Sequence, residues 1–460
     1  MPGRRLPNEP VPELKAVPIP DLIEIVPLDQ PVRAEIVVPG SKSITNRALV
    51  LAALADGETI IEGALWSEDT QIMVECLEEL GFTVTVRPDP REACNRTITV
   101  LGKGGRVPPG GTEGQPLELF VGNAGTAARF LAALVCLGDG FYWLQGVPRM
   151  CQRPQAALFH ALRELGYRVE AAGDRLPALI RGDGPRAGKC RVSIDDSSQF
   201  ASALLLGAGA GGWQVEVSGD NAEESPYVTM TRKLIATFPR NGGRFQVEAD
   251  ASTGSYFQAA DFLLSRFDSL RLGKDQDEQS SARVSPPPSA VALRSGPVTD
   301  WQVDAAFARF LPLPEIISRR SDLGDSIMTA VVLAPFSGQP IRFTDLGRLR
   351  VQECERVAAL RAELTRCGAR VVEDGDTLTV FPSSLHGAEI ETYNDHRMAM
   401  CFAILGLIVP GIRLKNASCV KKTFPGFFQK LAAPPPGGLG TRILDGESRR
   451  VLSHDELFAE

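Results

Sequence analysis

Apolar and polar positions follow one pattern that repeats along the chain. In the first repeat, a strand-like apolar run over residues 21–38 is followed by a small polar segment, residues 40–47, and then by a second apolar run. Further on, residues 67–80 place apolar side chains at helical spacing and end at Gly81, which is typical of a helix C-terminus. The pattern therefore predicts alternating strands and helices, with a polar turn at the start of the first helix.

Polar segments of this kind occur six times, and each precedes an apolar run that we predict to be a helix. They lie at residues 40–47, 122–126, 195–199, 250–255, 321–326 and 393–397. Six units, each too small to bury its own sheet face, are expected to pack together into one or two layered domains. Because unpaired N–H groups and the positive end of the dipole gather at a helix start, these segments are expected to bind anions and to converge on one cleft.

Composition limits the class of protein. The chain has 460 residues, of which 43% are apolar and 23% charged, as in a globular protein of two or three domains. Its net charge of -7 argues against nucleic acid as a partner, and no apolar run approaches the roughly 18 residues that span a membrane. The nine cysteines and four histidines show no metal-ligand spacing, so we expect no metal and no other cofactor.

The N-terminal segment and the cysteines predict where the protein works. The first 20 residues hold six prolines and no continuous apolar stretch, unlike a secretory signal or a transit peptide, so we interpret residues 1–20 as a flexible extension. The cysteines lie in apolar segments without a C-x-x-C pair, as expected for buried thiols in a reducing compartment. Together these features predict a cytoplasmic protein.

Charged residues cluster beside the polar segments. Arginines at helix starts suit small phosphates and carboxylates, although each one taken alone fits a solvated surface charge at least as well. Two carboxylates, Asp325 and Glu353, lie among these cations, which would keep them ionised and able to accept protons; each also fits a helix cap or an ion-pair partner. No Ser-His-Asp order, zinc motif or P-loop consensus is present, which disfavours covalent hydrolases and nucleotide hydrolases.

Ten segments, taken in order, resemble the signatures of one family of enolpyruvyl transferases, the 3-phosphoshikimate 1-carboxyvinyltransferases. The segments are GSKSITNRAL, LFVGNAGTAARFLAAL, VPRMCQRP, DSSQFASALLL, SPYVTMT, DASTGSYF, GDSIMTA, RVQECERV, YNDHRMAMCF and KKTFPGFF, and they run from about residue 39 to about residue 431. The resemblance implies an α/β (α+β) fold of two domains. It also implies six repeated β-α-β-α-β-β units, three per domain, with the helix N-termini facing the cleft between the domains.

The resemblance also predicts how the chain is divided. The first domain would combine residues 21–39 with residues 249–431 and would contain an insertion or linker at residues 265–300. Residues 40–248 would form the second domain, and residues 432–460 a C-terminal tail. The two crossings between the domains would form a hinge.

The activity implied by the resemblance belongs to the shikimate pathway, which leads to chorismate and the aromatic amino acids. The enolpyruvyl group of phosphoenolpyruvate would move to the 5-hydroxyl of shikimate 3-phosphate by addition and elimination, with release of phosphate. Catalysis would fall to Lys42 as the acid, to Asp325 as the base for the 5-hydroxyl, and to Glu353 as the partner in proton transfer at C3. We expect these small molecules to be the partners of a monomeric protein.

The resemblance assigns binding residues to each substrate. Shikimate 3-phosphate would be bound by Ser43, Arg47, Ser197, Ser198, Gln199, Tyr227 and Asp325. Phosphoenolpyruvate would be bound by Lys42, Asn123, Gly125, Thr126, Arg153, Gln199, Arg356, Arg397 and Lys422.

Three positions depart from the family pattern. Gln352 stands where a lysine is usual, and Arg348, a turn earlier, replaces a commonly neutral residue and is expected to restore the charge. Glu224 stands where a serine is usual in S-x-P-Y, with Ser225 shifted by one position, and a carboxylate there would repel a substrate phosphate unless it points away. Phe130 replaces a proline near a helix start, which is expected to alter the response to inhibitors.

Two other functions stay open at this point. A non-catalytic paralogue that binds shikimate 3-phosphate without turnover is suggested by Gln352 and Glu224. A UDP-N-acetylglucosamine 1-carboxyvinyltransferase would share the fold and the donor. That family carries a reactive cysteine in a glycine-rich loop, however, and residues 138–154 offer only Cys151, inside an arginine motif.

Overall fold

The computed structural model describes residues 18–219, 225–272 and 290–459, in which α-helices alternate with β-strands. The helices are α1 Lys42–Leu54, α2 Glu68–Glu79, α3 Gly125–Leu134, α4 Pro148–Gln152, α5 Ala156–Glu164, α6 Ser198–Gly211, α7 Pro226–Thr237, α8 Ala251–Leu272, α9 Ile327–Leu333, α10 Arg356–Arg366, α11 His396–Gly406 and α12 Phe427–Ala432. The strands are β1 Leu22–Ile25, β2 Ala34–Ile36, β3 Asp56–Leu65, β4 Thr83–Pro88, β5 Asn95–Lys103, β6 Leu117–Phe120, β7 Asp139–Gln145, β8 Arg168–Ala171, β9 Ala178–Asp183, β10 Gly188–Ser193, β11 Trp213–Ser218, β12 Gly243–Gln246, β13 Val291–Leu293, β14 Ile316–Ser318, β15 Ile341–Thr344, β16 Val371–Asp374, β17 Thr377–Val380, β18 Glu389–Ile390, β19 Ile412–Lys415 and β20 Ile443–Asp445.

Four sheets share one topology. Each has a parallel pair at one edge, followed by two antiparallel pairs, in the strand orders β12-β3-β5-β4, β6-β7-β9-β8, β14-β15-β17-β16 and β18-β19-β1-β20. Two smaller parallel sheets, β10-β11 and β13-β2, complete the sheets of the described residues. The recurring topology agrees with the repeat that the apolar pattern predicts.

Buried apolar side chains form two separate cores. The first draws on residues 19–38 and 256–459, and the second on residues 44–247. Leu65 and Cys94 are exceptions, because they pack into the first core from within the second stretch. Every residue of α11 is buried, as expected of a helix that is apolar on all sides and lies at the centre of its core. None of the helices in the described part of the chain combines the length and apolar character needed to cross a membrane.

The chain passes between the two cores twice, and the two crossings run side by side. Ser41 N–H donates to Glu248 O at 2.9 Å, and Asp250 N–H donates to Pro39 O at 2.9 Å. Between them, a Cβ on Gly40 would collide with a neighbouring main-chain carbonyl oxygen, so this close approach requires glycine. The pairing places the start of α1 beside the second crossing.

Helices α1, α3, α6, α8, α9 and α11 begin within or directly after the six polar segments, as predicted. Ser197 caps α6 by accepting a hydrogen bond from Gln199 N–H at 3.2 Å, and Asp395 caps α11 by accepting one from Arg397 N–H at 2.9 Å. Capping residues and unpaired N–H groups therefore lie together at these helix starts.

The segment predicted as an insertion or linker, residues 265–300, is partly regular in the structure. Residues 265–272 continue α8, and β13 pairs with β2. Residues 273–289 lie outside the described residues, as do residues 1–17 of the predicted N-terminal extension. The proline-rich and polar composition of the segment did not reveal that Ala290 and Val291, near its C-terminal end, belong to the first core.

The predicted C-terminal tail, residues 432–460, belongs to the fold as far as the structure describes it, up to residue 459. Strand β20 pairs with β1, and Leu439, Ile443 and Leu457 are fully buried. These apolar side chains are widely spaced and separated by prolines and glycines, so they form no periodic pattern in the sequence. Only their packing against β1 shows that they complete the first core.

Candidate active site

A cleft of about 880 Å³ lies between the two cores and is lined by the starts of α1, α3, α6, α8, α9 and α11. Most of the predicted site residues line it, namely Lys42, Ser43, Arg47, Gly125, Thr126, Arg153, Ser197, Ser198, Gln199, Tyr227, Asp325, Glu353, Arg356 and Arg397. The two other predicted residues, Asn123 and Lys422, lie next to the residues that line the cleft. Lys422 Nζ donates to Asn123 O at 3.0 Å. The fold thus brings together residues that are up to 380 positions apart, from 42 to 422.

Asp325 lies just before α9, and its carboxylate is surrounded by guanidinium groups. Arg397 Nη2 is 3.0 Å from Oδ2, Arg319 Nη2 is 3.2 Å from Oδ1, and Arg356 Nη1 is 4.0 Å from Oδ1. Burial raises the pKa of Asp325, but Arg397, Arg356 and Arg319 outweigh burial and hold the pKa well below its usual value. Asp325 is therefore ionised at neutral pH and can accept a proton from a bound hydroxyl.

A second carboxylate, which the sequence analysis missed, holds the loop that carries Asp325. Asp304 Oδ1 accepts hydrogen bonds from Gly324 N–H at 2.7 Å, from Ser326 N–H at 3.2 Å and from Ser326 Oγ at 2.6 Å. Its Oδ2 accepts a hydrogen bond from the hydroxyl of Ser252, and Asp304 is only 3% exposed. A lone aspartate beyond a segment read as a linker carries no sequence signal for this role.

Glu353 and Arg356 face the cleft from the start of α10. Arg356 Nη2 lies 2.9 Å from Glu353, while its Nε donates to Asp395 at 2.6 Å and its Nη1 donates to Gln352 Oε1 at 2.5 Å. Burial raises the pKa of Glu353, but Arg356, followed by Lys422, outweighs burial and keeps the pKa well below its usual value. Glu353 is thus an ionised carboxylate beside a guanidinium whose orientation is fixed by its neighbours.

A row of alternating charges joins Lys42 to Glu353. Lys42 Nζ is 2.9 Å from one oxygen of Asp69, and Lys422 Nζ is 3.8 Å from the other oxygen and 3.6 Å from Glu353. Asp69 lies in the first turn of α2 and is 2% exposed. An acidic residue in the first turn of a helix is common, so the sequence did not distinguish Asp69 from an ordinary helix-dipole partner.

The turn before α3 and two buried arginines form a seat for an anion. A Cβ on Gly125 would lie 2.8 Å from nitrogens of both Arg129 and Arg153, so a larger residue here would displace these guanidinium groups from their positions beside the main chain. Arg129 Nη1 donates to Gly125 O at 3.1 Å, and Arg153 Nη1 donates to Asn123 O at 3.4 Å. The Nε atoms of both arginines are buried without a hydrogen-bond partner. Burial, and then the charge of Arg153, lowers the pKa of Arg129, which indicates that a negative charge would be bound favourably here.

A second candidate anion site lies at the starts of α6 and α7 and is called the α6 seat below. Ser197, Ser198 and Gln199 line the cleft at the N-terminus of α6, where Gln199 Oε1 has no hydrogen-bond partner. Tyr227 reaches the cleft from the first turn of α7. Burial, and then the charge of Asp325, raises the pKa of Tyr227 well above its usual value, so the phenol stays protonated and can donate.

The guanidinium group of Arg47 directs most of its hydrogen bonds to other residues of the protein. Its Nε donates to Thr231 Oγ1 at 2.7 Å, its Nη1 to Ser43 O at 2.8 Å and its Nη2 to Ser202 Oγ at 3.0 Å. The guanidinium also lies 5.3 Å from the centroid of the Phe130 ring, a cation–π distance. Burial lowers the pKa of Arg47 to about 10, so it remains charged at neutral pH. Arg47 therefore fixes α1, and with it Ser43, against α6 and α7.

Two arginines bridge the cleft between the cores. Arg149, on α4, donates to Gln352 O at 2.8 Å and to Glu353 O at 3.2 Å. From the opposite side, Arg348 donates to two carbonyl oxygens just before α6, including Asp195 O at 3.2 Å. The charge of Arg348, expected to replace the one lost at Gln352, thus lies against the loop that leads into the α6 seat.

His396 also faces the cleft, although the sequence analysis gave it no role. It is 1% exposed, and neither ring nitrogen has a hydrogen-bond partner. Burial, and then the charges of Lys42 and Arg397, lowers the pKa of His396 well below its usual value, so the imidazole is neutral. Glu224, the carboxylate expected near the acceptor phosphate, lies outside the described residues.

Comparison with known proteins connects this cleft to one family. The chain matches the family model of EPSP synthase (3-phosphoshikimate 1-carboxyvinyltransferase) over residues 27–241 and 308–431. It is 36% identical over 435 residues to the 3-phosphoshikimate 1-carboxyvinyltransferase of Trichormus variabilis, and 37% identical over 433 residues to that of Nostoc punctiforme. Each alignment covers 89% of this chain and 98% of the relative.

Solved structures show the same architecture. The EPSP synthase of Acinetobacter baumannii superposes with a TM-score of 0.63 at 19% identity, over 92% of this chain and 99% of that chain. The enolpyruvyl transferase NikO of Streptomyces tendae superposes with a TM-score of 0.60 at 16% identity, over 95% of this chain and all of the other (100%). These likenesses confirm the predicted enolpyruvyl-transferase fold. On the match to the family model and the identity with the curated relatives, the chain belongs to the EPSP synthase (3-phosphoshikimate 1-carboxyvinyltransferase) family of transferases.

Proposed function

We propose that this enzyme transfers the enolpyruvyl group of phosphoenolpyruvate onto the 5-hydroxyl of shikimate 3-phosphate and releases phosphate. One observation carries the proposal: the ionised carboxylates of Asp325 and Glu353 face the same cleft and are each surrounded by cations. The reaction joins two anionic substrates and moves protons at the hydroxyl oxygen of the acceptor and at C3 of the donor. A cleft that holds two carboxylate bases and many fixed positive charges can bind the anionic substrates and transfer these protons.

The donor is proposed to lie between α3 and α11. Its phosphate would occupy the seat formed by Asn123, Gly125 and Thr126 with the guanidinium of Arg153, because two buried arginines there have unpaired Nε atoms. Its carboxylate and bridging oxygen would then meet the remaining predicted donor residues, Lys42, Gln199, Arg356, Arg397 and Lys422. Bidentate guanidinium contacts suit both phosphate and carboxylate oxygens.

The acceptor is proposed to lie against α6 and α7, with its reacting hydroxyl at Asp325. Ser197, Ser198 and Gln199 offer hydroxyl and amide groups at the start of α6, where the helix dipole favours an anion. Tyr227 would donate from the first turn of α7. Ser43 would contact the acceptor directly, while Arg47, already bonded to Ser202 and Thr231, supports it with charge and orientation.

The proton transfers are proposed to follow from the charge states of the residues that line the cleft. In the addition step, the acceptor oxygen bonds to C2 of the donor, its proton passes to Asp325, and C3 gains a proton from Lys42. In the elimination step, the bond from C2 to the phosphate oxygen breaks and the leaving oxygen takes up the proton held by Asp325. C3 loses a proton, which passes by way of Glu353 back to Lys42, and the double bond forms again. Glu353 is ionised beside Arg356, which suits it to take that proton. No proton is gained or lost overall.

We also propose that the protein acts as a monomer in the cytoplasm, with two domains that close on the substrates. The first domain would combine residues 21–39 with residues 249–431 and extend through β20; the second would be residues 40–248. Each stretch has its own core, and the paired crossings at Gly40 offer a hinge. All nine cysteines are free thiols, seven of them buried, which suits a reducing compartment.

Phosphate release from the purified protein tests the proposed reaction. We expect release only when phosphoenolpyruvate and shikimate 3-phosphate are both present, and each omission serves as a control. Calorimetric binding of shikimate 3-phosphate without any phosphate release would instead identify a non-catalytic paralogue. UDP-N-acetylglucosamine offered in place of shikimate 3-phosphate should give no release.

A further inference from the structure

Arg319 is a buried cation in the cleft that no step of the proposed reaction uses. It follows β14, and its side chain is 8% exposed. Its Nη2 lies 3.2 Å from Asp325 Oδ1, while its Nε is buried without a hydrogen-bond partner. A guanidinium carries five N–H donors, so the single ion pair to a shared carboxylate leaves Arg319 with binding capacity directed at the cleft.

The loop that carries Arg319 is held firmly. Arg319 N–H donates to Thr344 O at 3.1 Å, and Ser318 N–H donates to Asp322 Oδ2 at 2.8 Å. The hydroxyl of Ser318 donates to Asp345 Oδ2 at 2.6 Å. This main-chain anchoring presents the guanidinium at a defined place and keeps the entropy cost of binding low.

Arg319 shares its carboxylate partner with two other cations. Three guanidinium groups, those of Arg319, Arg356 and Arg397, share the one carboxylate of Asp325. Arg356 has two further carboxylate partners in Glu353 and Asp395, whereas Asp325 is the carboxylate paired with Arg319 among the described residues. Arg397 also pairs with Asp325 but donates in addition to the Tyr256 hydroxyl at 3.2 Å, so Arg319 is the one of the three whose side chain hydrogen-bonds to Asp325 alone among the described residues.

The position of Arg319 points toward the α6 seat. Its charge lowers the pKa of Arg348, after the larger effect of burial, so the two guanidinium groups lie near each other. Arg348 in turn contacts the carbonyl oxygen of Asp195, two residues before the cap residue Ser197. Arg319 also acts on the phenol of Tyr227, which faces the same space. An anion bound at the start of α6 would thus face Arg319 across the cleft.

We propose that Arg319 binds the phosphate group of the acceptor and is a specificity-determining residue that distinguishes a phosphorylated from an unphosphorylated acceptor ring. The proposal rests on the proposed function, which places the reacting hydroxyl at Asp325 and the acceptor phosphate at Ser197 and Ser198. With the hydroxyl at Asp325, a phosphate on the same six-membered ring and directed toward α6 lies within reach of a guanidinium that contacts Asp325. Arginine suits this task because its planar fork binds two phosphate oxygens at once.

Steady-state kinetics of Arg319→Gln, with shikimate 3-phosphate and with unphosphorylated shikimate as acceptors, tests the proposal. We expect the KM for shikimate 3-phosphate to rise about tenfold or more and the KM for phosphoenolpyruvate to change less than twofold. The value of kcat/KM for shikimate should fall about tenfold less than that for shikimate 3-phosphate, because an effect through Asp325 lowers both values equally. Arg361→Gln removes the same charge from an exposed ion pair with Glu373 and should match the wild type. An equal loss of kcat/KM with both acceptors would overturn the proposal, because Arg319 would then act only through Asp325.

Arg319→Lys keeps the test decisive if the glutamine variant does not fold. Lysine preserves the ion pair with Asp325 but offers a single point charge in place of the fork, so the KM for shikimate 3-phosphate should still rise severalfold while the KM for shikimate rises less. An unchanged KM would overturn the proposal. If the wild type binds shikimate 3-phosphate but releases no phosphate, the proposed function fails by itself. Calorimetry of shikimate 3-phosphate with the wild type and the variant then tests Arg319 separately.

Discussion

Asp304 accepts a hydrogen bond from the main-chain N–H of Gly324 at 2.7 Å, immediately before the residue proposed as the catalytic base. The same oxygen accepts from the N–H on the other side of that residue, at Ser326. A single buried carboxylate therefore fixes the peptides that flank Asp325. The position of the base depends on a residue that need not touch either substrate.

Asp304→Ala should destabilise the protein and misplace the base. Two N–H groups and two hydroxyls would lose their acceptor in a buried site, so the free energy of unfolding should fall by about 2 to 4 kcal/mol. We expect kcat to fall at least tenfold, with smaller changes in KM, as measured by denaturant titration and steady-state assays. Asp304→Asn keeps one carbonyl oxygen as an acceptor and should be less severe. A variant with wild-type kcat would show that the loop is held by other contacts.

Asp325→Ala should lose turnover but keep substrate binding. Loss of a positioned base typically costs 10²- to 10⁴-fold in rate, whereas the anion contacts remain, so calorimetry should show shikimate 3-phosphate bound within about tenfold of the wild-type affinity. Arg361→Ala, in an exposed ion pair, provides a variant outside the cleft for comparison. Unchanged turnover would refute the role assigned to Asp325.

Asp325→Asn should also reveal a pH-dependent contribution to stability. The pKa of Asp325 is held below its usual value in the folded protein, so the ionised form stabilises the fold above the unfolded-state pKa of about 3.9. Removing the charge should lower the free energy of unfolding by about 2 to 4 kcal/mol at pH 7. Thermal or denaturant unfolding at several pH values should show that the difference persists down to about pH 4 and shrinks below it. A difference that grew with acidification would contradict the sign of this pKa shift.

Lys42→Met should weaken the donor more than the acceptor. Lys42 pairs with Asp69 and lies near the donor side of the cleft, so its loss removes a positive charge and a proton source there. We expect the KM for phosphoenolpyruvate to rise about tenfold and the KM for shikimate 3-phosphate to change less than threefold in steady-state assays. Lys103→Met, at the exposed C-terminal end of β5, is the matched control. An equal loss of affinity for phosphoenolpyruvate and for shikimate 3-phosphate would contradict the assignment of Lys42 to the donor.

Arg149→Ala should make closure of the cleft less favourable. Arg149 is fixed to main-chain carbonyls of Gln352 and Glu353 across the cleft, and no substrate contact is assigned to it. We expect the KM values of both substrates to rise together by about three- to tenfold, because each binds to residues from both sides. Arg181→Ala, which breaks an exposed ion pair with Asp183, should leave both values unchanged. A rise in the KM of one substrate alone would indicate that Arg149 contacts that substrate directly and does not act by holding the two sides of the cleft together.

Local signals in the sequence located most of the site. The helix starts at Lys42, Gly125, Ser198 and His396 follow from small polar residues before apolar runs, and all four line the cleft. These signals are local, because capping groups and unpaired N–H groups belong to the same few residues. The alternation of strands and helices likewise predicted that one unit repeats along the chain, although the order of the strands in each sheet came only from the structure.

Other features had no local signal. Asp69 looked like an ordinary acidic residue in a first turn, yet it is buried between two lysines. Arg319 and Asp304 lie in stretches without periodicity, and their partners are fixed only by packing. The C-terminal segment ending with Leu457 contains prolines and glycines typical of a tail, but its apolar side chains are buried against the first core.

The sequence by itself determined the family, the α/β repeat and the set of charged helix starts, because each of these is encoded by residues that are neighbours along the chain. Tertiary structure alone decided which charges face one another. Asp325 lies between Arg319, Arg356 and Arg397 because separate units of the repeat pack around one cleft. Electrostatic interactions depend on distance and burial rather than on order in the chain, so these pairings, and the pKa shifts that follow from them, appear only once the chain is folded.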